Sequence, residues 1–413
     1  LEKRKFWTYE NKIVALFFFS VGFVFFDRLA INYLIPFIQE DFTLTNTQIG
    51  LIGSALAITW AISGPLGGYL SDKVKSKKAL LAFFVLGFSL VSLLHGLAAS
   101  FVTLFVLRLI MGVVEGPITP ITQSILAVES SEKRRGFNMG LTMNTGNAIF
   151  GSFLAPLVIV ALANVFDWHT AFYLTIIPGI ILAIFIQKTL RNPQKTVDAN
   201  KSTAASTKKV SFKEVIKHRN IWLSIIVFSF FLIYVMAFNI FGPVFLVNVK
   251  GMSPGSMSLV MAAFGAGFAI FGILVPIISD RIGRKQATLI FGILSGFTPL
   301  AVIYVDSMAL ILALVFLFSS GMGVGSLVMS TIPAESVPVQ YAGAAVGLVI
   351  GIGELFGGFL NPMLSGMAAD TWGLAAPLII SSCAAFLSFA FSLFLRETAP
   401  VKVRVNAEIE TVI

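Results

Sequence analysis

Charge is scarce in this chain. Asp, Glu, Lys and Arg make up 12% of its 413 residues, hydrophobic types make up 57%, and mean hydropathy is +0.91. That balance excludes an ordinary soluble domain and a disordered chain alike. Cysteine is nearly absent: Cys383 stands alone in the last apolar run, so no intramolecular disulfide can form. Histidine is almost as rare, and His95, His169 and His218 fall apart from one another at the ends of apolar runs or in loops. Clustered His/Cys metal ligands, a glycine loop ahead of G-K-S/T and a nucleophile–base pair in a polar domain are all missing. Metal binding, ATP drive and enzymatic catalysis therefore have no residues to carry them, and no cofactor is expected. Ten-residue segments of alternating apolar and polar residues, the mark of a membrane barrel, are missing as well.

What the chain has instead is long apolar runs. A helix that crosses a bilayer needs ~20 predominantly apolar residues, and twelve runs qualify: 12–36, 48–70, 79–98, 101–126, 137–162, 168–190, 220–247, 256–280, 286–305, 308–333, 342–367 and 373–395. The first is too long for the apolar core of a signal peptide. The fold class is an all-α membrane protein with twelve transmembrane helices.

The net charge of +9 reports orientation rather than a nucleic-acid partner. Of 29 Lys and Arg, 26 fall in the N-terminal residues, 72–78, 133–135, 188–219, 281–285 and the tail. A twelve-span arrangement puts all of these on one side, and the exceptions are Arg28, Arg108 and Lys250. By the positive-inside rule both ends lie in the cytoplasm, with anionic lipid headgroups beside the basic loops. The longest polar stretch, 191–219, divides the spans six and six. The expected organisation is an N-terminal half, 1–190, a basic linker, 191–219, a C-terminal half, 220–397, and a tail, 398–413. Within the linker 194–209 is expected to be mobile and Ser211–His218 to form an amphipathic surface helix. The sequon Asn200-Lys201-Ser202 would face the cytoplasm unused, and the short outward loops carry none, which fits a prokaryotic inner-membrane protein.

Two segments repeat. GYLSDKVKSKK at 68–78 returns as PIISDRIGRKQ at 276–286, 208 residues on, and the ladder Gly136, Gly140, Asn144 returns as Gly343, Gly347, Gly351, 207 residues on. Both fall at matched places in the two sets of six spans. Such parallel halves are a known transporter plan, with substrate bound near mid-membrane.

At these repeats the chain resembles the major facilitator superfamily, over about residues 10–397. The loop after the second span is similar to the family's G-x-L-A/S-D-R/K-x-G-R/K-K signature through Gly68, Leu70, Ser71, Asp72, Lys73 and Lys77, with Lys75 where glycine is usual. The second copy keeps Asp280, Arg281, Gly283, Arg284 and Lys285, with Pro276 where glycine is usual. Asp72 is expected to pair with a cation of the next loop, Arg134 or Arg135. Asp72, Arg135, Asp280 and Arg281 would then form a conformational latch. Within the superfamily the chain resembles the anion:cation symporter branch, which includes sialin and bacterial galactonate and hexuronate transporters. The likeness lies in Asp27-Arg28 in the first span, in Arg108, Gly112, Glu115 and Pro120 in the fourth, and in the stretch 334–362. It implies that the first-span arginine binds a substrate anion and that the acids couple to protons.

The residues carry a reading of their own. Charged side chains at membrane depth are unfavourable by ~2.5–3.5 kcal/mol each on insertion scales, so they face partners or watery space. Asp27 and Arg28 are neighbours and project ~100° apart; Arg108 and Glu115 share one helix face about two turns apart. The arginines are fixed cations able to grip a carboxylate bidentately, whereas Asp27 and Glu115 can change charge. The expected cycle has both acids, when ionised, paired with the arginines and releasing them on protonation. Asn147 and Glu354, counterparts at the 207 offset, together with Asn32, Trp60, Tyr234 and Asn239, complete the candidate substrate-binding set.

The function expected is proton-coupled symport of an organic monocarboxylate, such as a sugar acid, by a functional monomer in the lipid bilayer. A monocarboxylate is favoured because the second half has no intramembrane Lys or Arg. The alternatives are a proton-driven exporter of drugs or lipids and a non-transporting sensor. The antiporter run G-x-x-x-G-P-x-x-G-G finds only a poor match at 146–156. A sensor would carry a long signalling domain, which neither the opening residues nor the tail offers.

Overall fold

The computed structural model describes residues 7–191 and 212–402. The stretch 194–209, the sequon at 200–202 and the tail beyond 402 lie outside them. Every regular element among the described residues is helical. Twelve helices are long and apolar enough to cross a membrane: α1 (Tyr9–Asp41), α2 (Asn46–Lys73), α3 (Lys77–His95), α4 (Phe101–Glu129), α5 (Arg135–Val165), α6 (Trp168–Thr189), α7 (Arg219–Asn248), α8 (Pro254–Ile282), α9 (Arg284–Tyr304), α10 (Met308–Glu335), α11 (Val339–Trp372) and α12 (Ala375–Ser392). Each overlaps one of the expected runs: eight contain it whole and mostly reach a few residues beyond it, while α3, α6, α9 and α12 stop one to three residues short of its end. The extra turns are polar or small, as at 39–41 and 368–371. Hydropathy misses them, but backbone hydrogen bonding continues through them. A short helix, Phe212–Ile216, falls in the expected surface segment.

The chain gathers into two compact units. The first holds α1–α6 except the start of α2, Thr45–Gly50, and adds Ser253–Ala262 from the start of α8; the second holds the remainder of α7–α12 together with Thr45–Gly50.

Within the first unit, glycine lets helices approach closely where apolar burial gives no drive in lipid. A β-carbon on Gly112 of α4 would strike Thr59 Oγ1 and the Leu56 carbonyl of α2, and one on Gly116 would strike Ser63 Oγ. Ser63 Oγ donates to the Gly112 carbonyl at 2.8 Å. This contact holds the α2 turn that carries Trp60 against the α4 turn between Arg108 and Glu115. On the other flank Phe150 of α5 packs on Gly22 of α1, and Gly151 of α5 on Phe25. α5 is wound as a π-helix over Asn147–Leu154, a form frequent at functional positions.

The second unit is tied by serines. Ser381 and Ser388 of α12 donate to the carbonyls of Tyr234 (2.7 Å) and Val227 (3.0 Å) on α7, and Ser382 donates to that of Gly296 on α9. α11 also turns π-helical, over Glu354–Leu360. Asn147 and Glu354, paired by the internal repeat, thus each open a π segment. Also in this unit, Asp370 of α11 accepts from the backbone N–H groups of Asn46 (2.8 Å) and Thr47 (2.9 Å), capping α2.

Two outcomes test this packing. Gly112→Val should lower the unfolding midpoint in detergent, because overpacking a tight contact is destabilising by about 1–3 kcal/mol; an unchanged midpoint would remove the α2–α4 contact as a structural anchor. The second concerns Asp167, the exposed N-cap of α6, which accepts from the Thr170 N–H at 2.7 Å and from the Thr170 hydroxyl at 3.0 Å. Above all the Thr170 N–H, and then its hydroxyl and nearby His169, hold this carboxyl below its ordinary value. A lowered value in the folded state contributes stability above the ordinary carboxylate range, and that contribution disappears as pH falls through the lowered value. Asp167→Asn, whose amide oxygen caps without ionising, should therefore flatten this acid limb of the thermal-unfolding profile while leaving the neutral midpoint nearly unchanged.

Candidate functional site

The four charged residues at membrane depth on α1 and α4 come together inside the first unit, but not as ion pairs. Asp27, Arg108 and Glu115 are buried, at 3%, 2% and 0% exposure, whereas Arg28 is half-buried. Arg108 Nη2 donates to the backbone carbonyl of Arg28 at 3.0 Å. The Arg28 guanidinium lies over the ring of Trp60, 5.1 Å from its centroid, and 5.9 Å from that of Phe25. Cation–π contacts of this kind hold a guanidinium in place without neutralising it. Asn32, one turn beyond Arg28 on α1, is buried.

Asp27 turns the other way, as neighbours on a helix must. Its Oδ1 accepts from Ser92 Oγ of α3, and Ser92 Oγ is 2.7 Å from Thr175 Oγ1 of α6. Among the described residues, Asp27 Oδ2, Arg108 Nε and both carboxylate oxygens of Glu115 have no hydrogen-bond partner. No ion pair joins Asp27 or Glu115 to either arginine among the described residues. The expected self-neutralised quartet is thus not the arrangement here. Arg108 reaches a helix carbonyl instead of a carboxylate, and Asp27 is drawn off by a hydroxyl.

Asn147, half-buried on the π segment of α5, has an Oδ1 with no partner among the described residues. In the second unit, taken by itself, Asn239 is buried, with Nδ2 donating to the Val235 carbonyl at 2.9 Å, and Glu354 is half-buried. Tyr234 departs from a cavity-lining position. It is fully buried against Phe231 and Phe264, its hydroxyl donating to Thr298 at 3.4 Å. An aromatic ring on the α7 stripe that faces α9 and α12 packs before it can bind.

At the motif loops the pairing differs from the expected latch. Asp72 pairs with Lys77 of its own loop at 3.2 Å, and Lys77 also reaches Ser124 Oγ. Arg134 is occupied by Asn11 Oδ1 of α1 at 2.8 Å. Arg135 and Arg281 are exposed and make no ion pair among the described residues. In the second copy the centre is Arg284, an arginine of the motif that the sequence reading did not single out. It pairs with Asp280 at 2.6 Å and with Glu335 of α10 at 3.0 Å. Glu397 accepts from the N–H groups of Arg284 (2.7 Å) and Lys285 (3.2 Å), capping α9. Gly283, at φ +110°, makes the sharp entry that aims both N–H groups at that carboxylate. Ser92, Thr175, Glu335 and Glu397 were also missed. Serine and threonine in apolar spans have no pattern that marks them, and Glu335 and Glu397 are 51 and 113 residues from Arg284.

The sequence profile of the Major Facilitator Superfamily matches residues 17–360 and 232–412. The chain is 28% identical over 408 residues to the hexuronate transporter of Bacillus subtilis (strain 168), covering 93% of this chain and 94% of that protein. It is likewise 28% identical to the sialic acid transporter NanX of Escherichia coli (strain K12), covering 90% of each. The fold is similar to the crystal structure of a bacterial homologue of the human lysosomal transporter Spinster, at a TM-score of 0.76 and 18% identity, over 94% of this chain and 98% of that one. Twelve apolar spans, a motif loop repeated in each half and charged α1 and α4 fit these matches at once: the chain belongs to the Major Facilitator Superfamily, as a transporter whose relatives fit the anion:cation symporter branch.

Proposed function

We propose that this transporter imports an organic monocarboxylate, of the sugar-acid kind, together with protons. The observation that carries the reading is Arg28: a half-buried, permanently charged guanidinium braced on Trp60, with no carboxylate of the chain paired to it among the described residues. A planar cation held open in this way suits a carboxylate ligand bound through two parallel hydrogen bonds. The names of the relatives, a hexuronate and a sialic acid transporter, support a sugar acid as the ligand. Asn147, with a free amide oxygen, suits a sugar hydroxyl, and Asn32, Asn239 and Glu354 remain in the proposed contact set.

Asp27 and Glu115 are the members of the cluster able to take up a proton. In place of release from ion pairs, the coupling runs through charge. An anion on Arg28 lowers the positive potential around Arg108, and proton binding to the carboxyls becomes more favourable. By linkage, protonation favours the anion by the same factor. Arg108, whose donor is committed to the Arg28 carbonyl, positions α1 against α4. The distribution of basic residues supports a bacterial inner membrane as the location, with both chain ends on its cytoplasmic side. Asp72 and Asp280 hold the motif loops from within each copy, and their rearrangement during transport is part of the proposal.

Proteoliposomes with an imposed pH gradient, fed a labelled hexuronate such as glucuronate against a panel of competing acids, test this. Arg28→Ala should abolish uptake. Glu115→Gln should lose the dependence on the gradient while still binding the ligand. Retention of gradient-driven uptake in either variant would overturn that residue's role, and a panel in which no organic acid competes would favour an exporter. If two protons accompany one monovalent anion, each cycle moves one positive charge inward, worth ~2.3 kcal/mol per 100 mV. An inside-negative potential should then accelerate uptake without any pH gradient, and indifference to potential would exclude that ratio.

A further inference from the structure

Asp27 opens onto a feature that transport of a sugar acid does not use. On the flank of the first unit formed by α1, α3, α5 and α6 lies a crevice of about 290 Å³. Its walls are almost wholly apolar: Phe23, Phe88, Phe150 and Leu162 stand around Asp27 and Thr175. Local helix irregularities make room for it. α6 breaks at Thr175, between the segments Trp168–Leu174 and Ile176–Thr189, and Pro178 has no N–H with which to continue the ladder. The π segment of α5 carries Phe150 and Leu154 along the opposite wall. Val158, on the crevice lining, is 43% exposed on the surface.

The floor is polar and incompletely bonded. Ser92 fills Asp27 Oδ1 and stands beside Thr175, while Asp27 Oδ2, in a residue only 3% exposed, accepts nothing. A buried acceptor left unmade is unfavourable by about 1–3 kcal/mol and more when charged, so a ligand that brings one donor gains there. The crevice is slightly smaller than the ~300–1,000 Å³ usual for a drug-sized ligand, which favours one slender chain. A sugar acid, with its many hydroxyls and its charge, fits neither these walls nor a carboxylate floor.

We propose that this crevice binds a single-chain amphiphile with one hydrogen-bond donor at its head, a hydroxyl or an ammonium group, donated to Asp27 Oδ2, and with the apolar chain lying along Phe23, Phe150 and Leu162. The site is separate from Arg28, because the two neighbouring side chains project toward different helices, and it stands whether or not the transport reading does. Its ligand comes either from the bilayer itself, as a monoacylglycerol does, or from the water, as a free long-chain alcohol does.

The test is photolabelling of the full chain in nanodiscs with a decanol analogue that carries a diazirine on its chain, the labelled residues being mapped by mass spectrometry. Label is expected on α1, α5 and α6 around the crevice. Decanol should displace it at least about tenfold better than decyl methyl ether, the factor that one hydrogen bond to a charged group supplies. Val158→Trp, which blocks the crevice from the surface, should abolish the labelling, and Asp27→Ala should erase the preference for alcohol over ether. Displacement by monoacylglycerol placed in the nanodisc assigns the site to a lipid. Displacement by decanol but not by that lipid assigns it to alcohols from the water. Labelling spread evenly over the outer faces of the helices, or equal displacement by alcohol and ether in the unmodified protein, would overturn the proposal. Because the readout is labelling rather than uptake, a variant inactive in transport still reports on it.

Discussion

A buried guanidinium has no water to take its donors, and in this protein Arg108 gives one, from Nη2, to the backbone carbonyl of Arg28 while its Nε–H finds no partner among the described residues. The bond ties α4 to α1 at membrane depth, and its strength there comes from the low dielectric around it. A bond to the backbone leaves the acids of the same cluster unclaimed. Had Arg108 met Asp27 or Glu115 directly, the cluster would be a closed, neutral strut. Instead the arginine is held by a group that cannot titrate, and the two carboxyls that can titrate keep free oxygens. Arg28, on the turn whose carbonyl is used, keeps its own guanidinium out on Trp60.

Glycine makes that geometry possible. Gly112 and Gly116 follow Arg108 at i+4 and i+8, along the α4 face that meets α2, and each leaves room only for a hydrogen. The close approach they permit brings Trp60 to Arg28. The stripe of α4 that reads as arginine, glycine and glutamate is therefore one structural device: the arginine bonds α1, the glycine admits α2, and the glutamate is sealed at the end of the same face. A larger residue at Gly112 would move Trp60 before it disturbed any charge.

Much of this was legible in the sequence. The twelve spans follow from hydropathy because, with the alternating barrel pattern missing, only helices satisfy the backbone in lipid. The intramembrane charges announce themselves because their burial is so unfavourable. The opposite headings of Asp27 and Arg28 follow from helix geometry alone. Partners were harder to read. A guanidinium within reach of both a carboxylate and a carbonyl gives no sign in sequence of which it takes, and Ser92 looks like any other serine in an apolar helix. The packing of Tyr234 was hidden for a related reason: a tyrosine facing neighbouring helices and one facing water occupy the same kind of apolar run. At the motif loops, the ion pairs expected between loops form within the first copy. In the second they gather on Arg284, with Asp280 and Glu335, and Glu397 caps the helix start through backbone N–H groups; no local spacing connects either glutamate to that arginine.

The two copies of the repeat show how one ancestral pattern supports different local chemistry. Asp72 and Asp280 correspond, yet the residue four places on is Ser76 in one and Arg284 in the other. Ser76 caps α3 through its own hydroxyl, accepting from the Ala79 N–H at 3.2 Å. Arg284 brings a cation instead, so α9 takes its cap from a distant carboxylate, Glu397, and the arginine collects Asp280 and Glu335. A serine cap is local and neutral, and it leaves Asp72 74% exposed with one lysine for company. The Arg284 guanidinium commits two acids and its backbone N–H a third, Glu397, so this loop carries more charged contacts than the first. The π segments that open at Asn147 and Glu354 diverge in the same sense, an amide in one half and an acid in the other. The π-helical irregularity recurs at both places, and the side chain it presents differs between the halves.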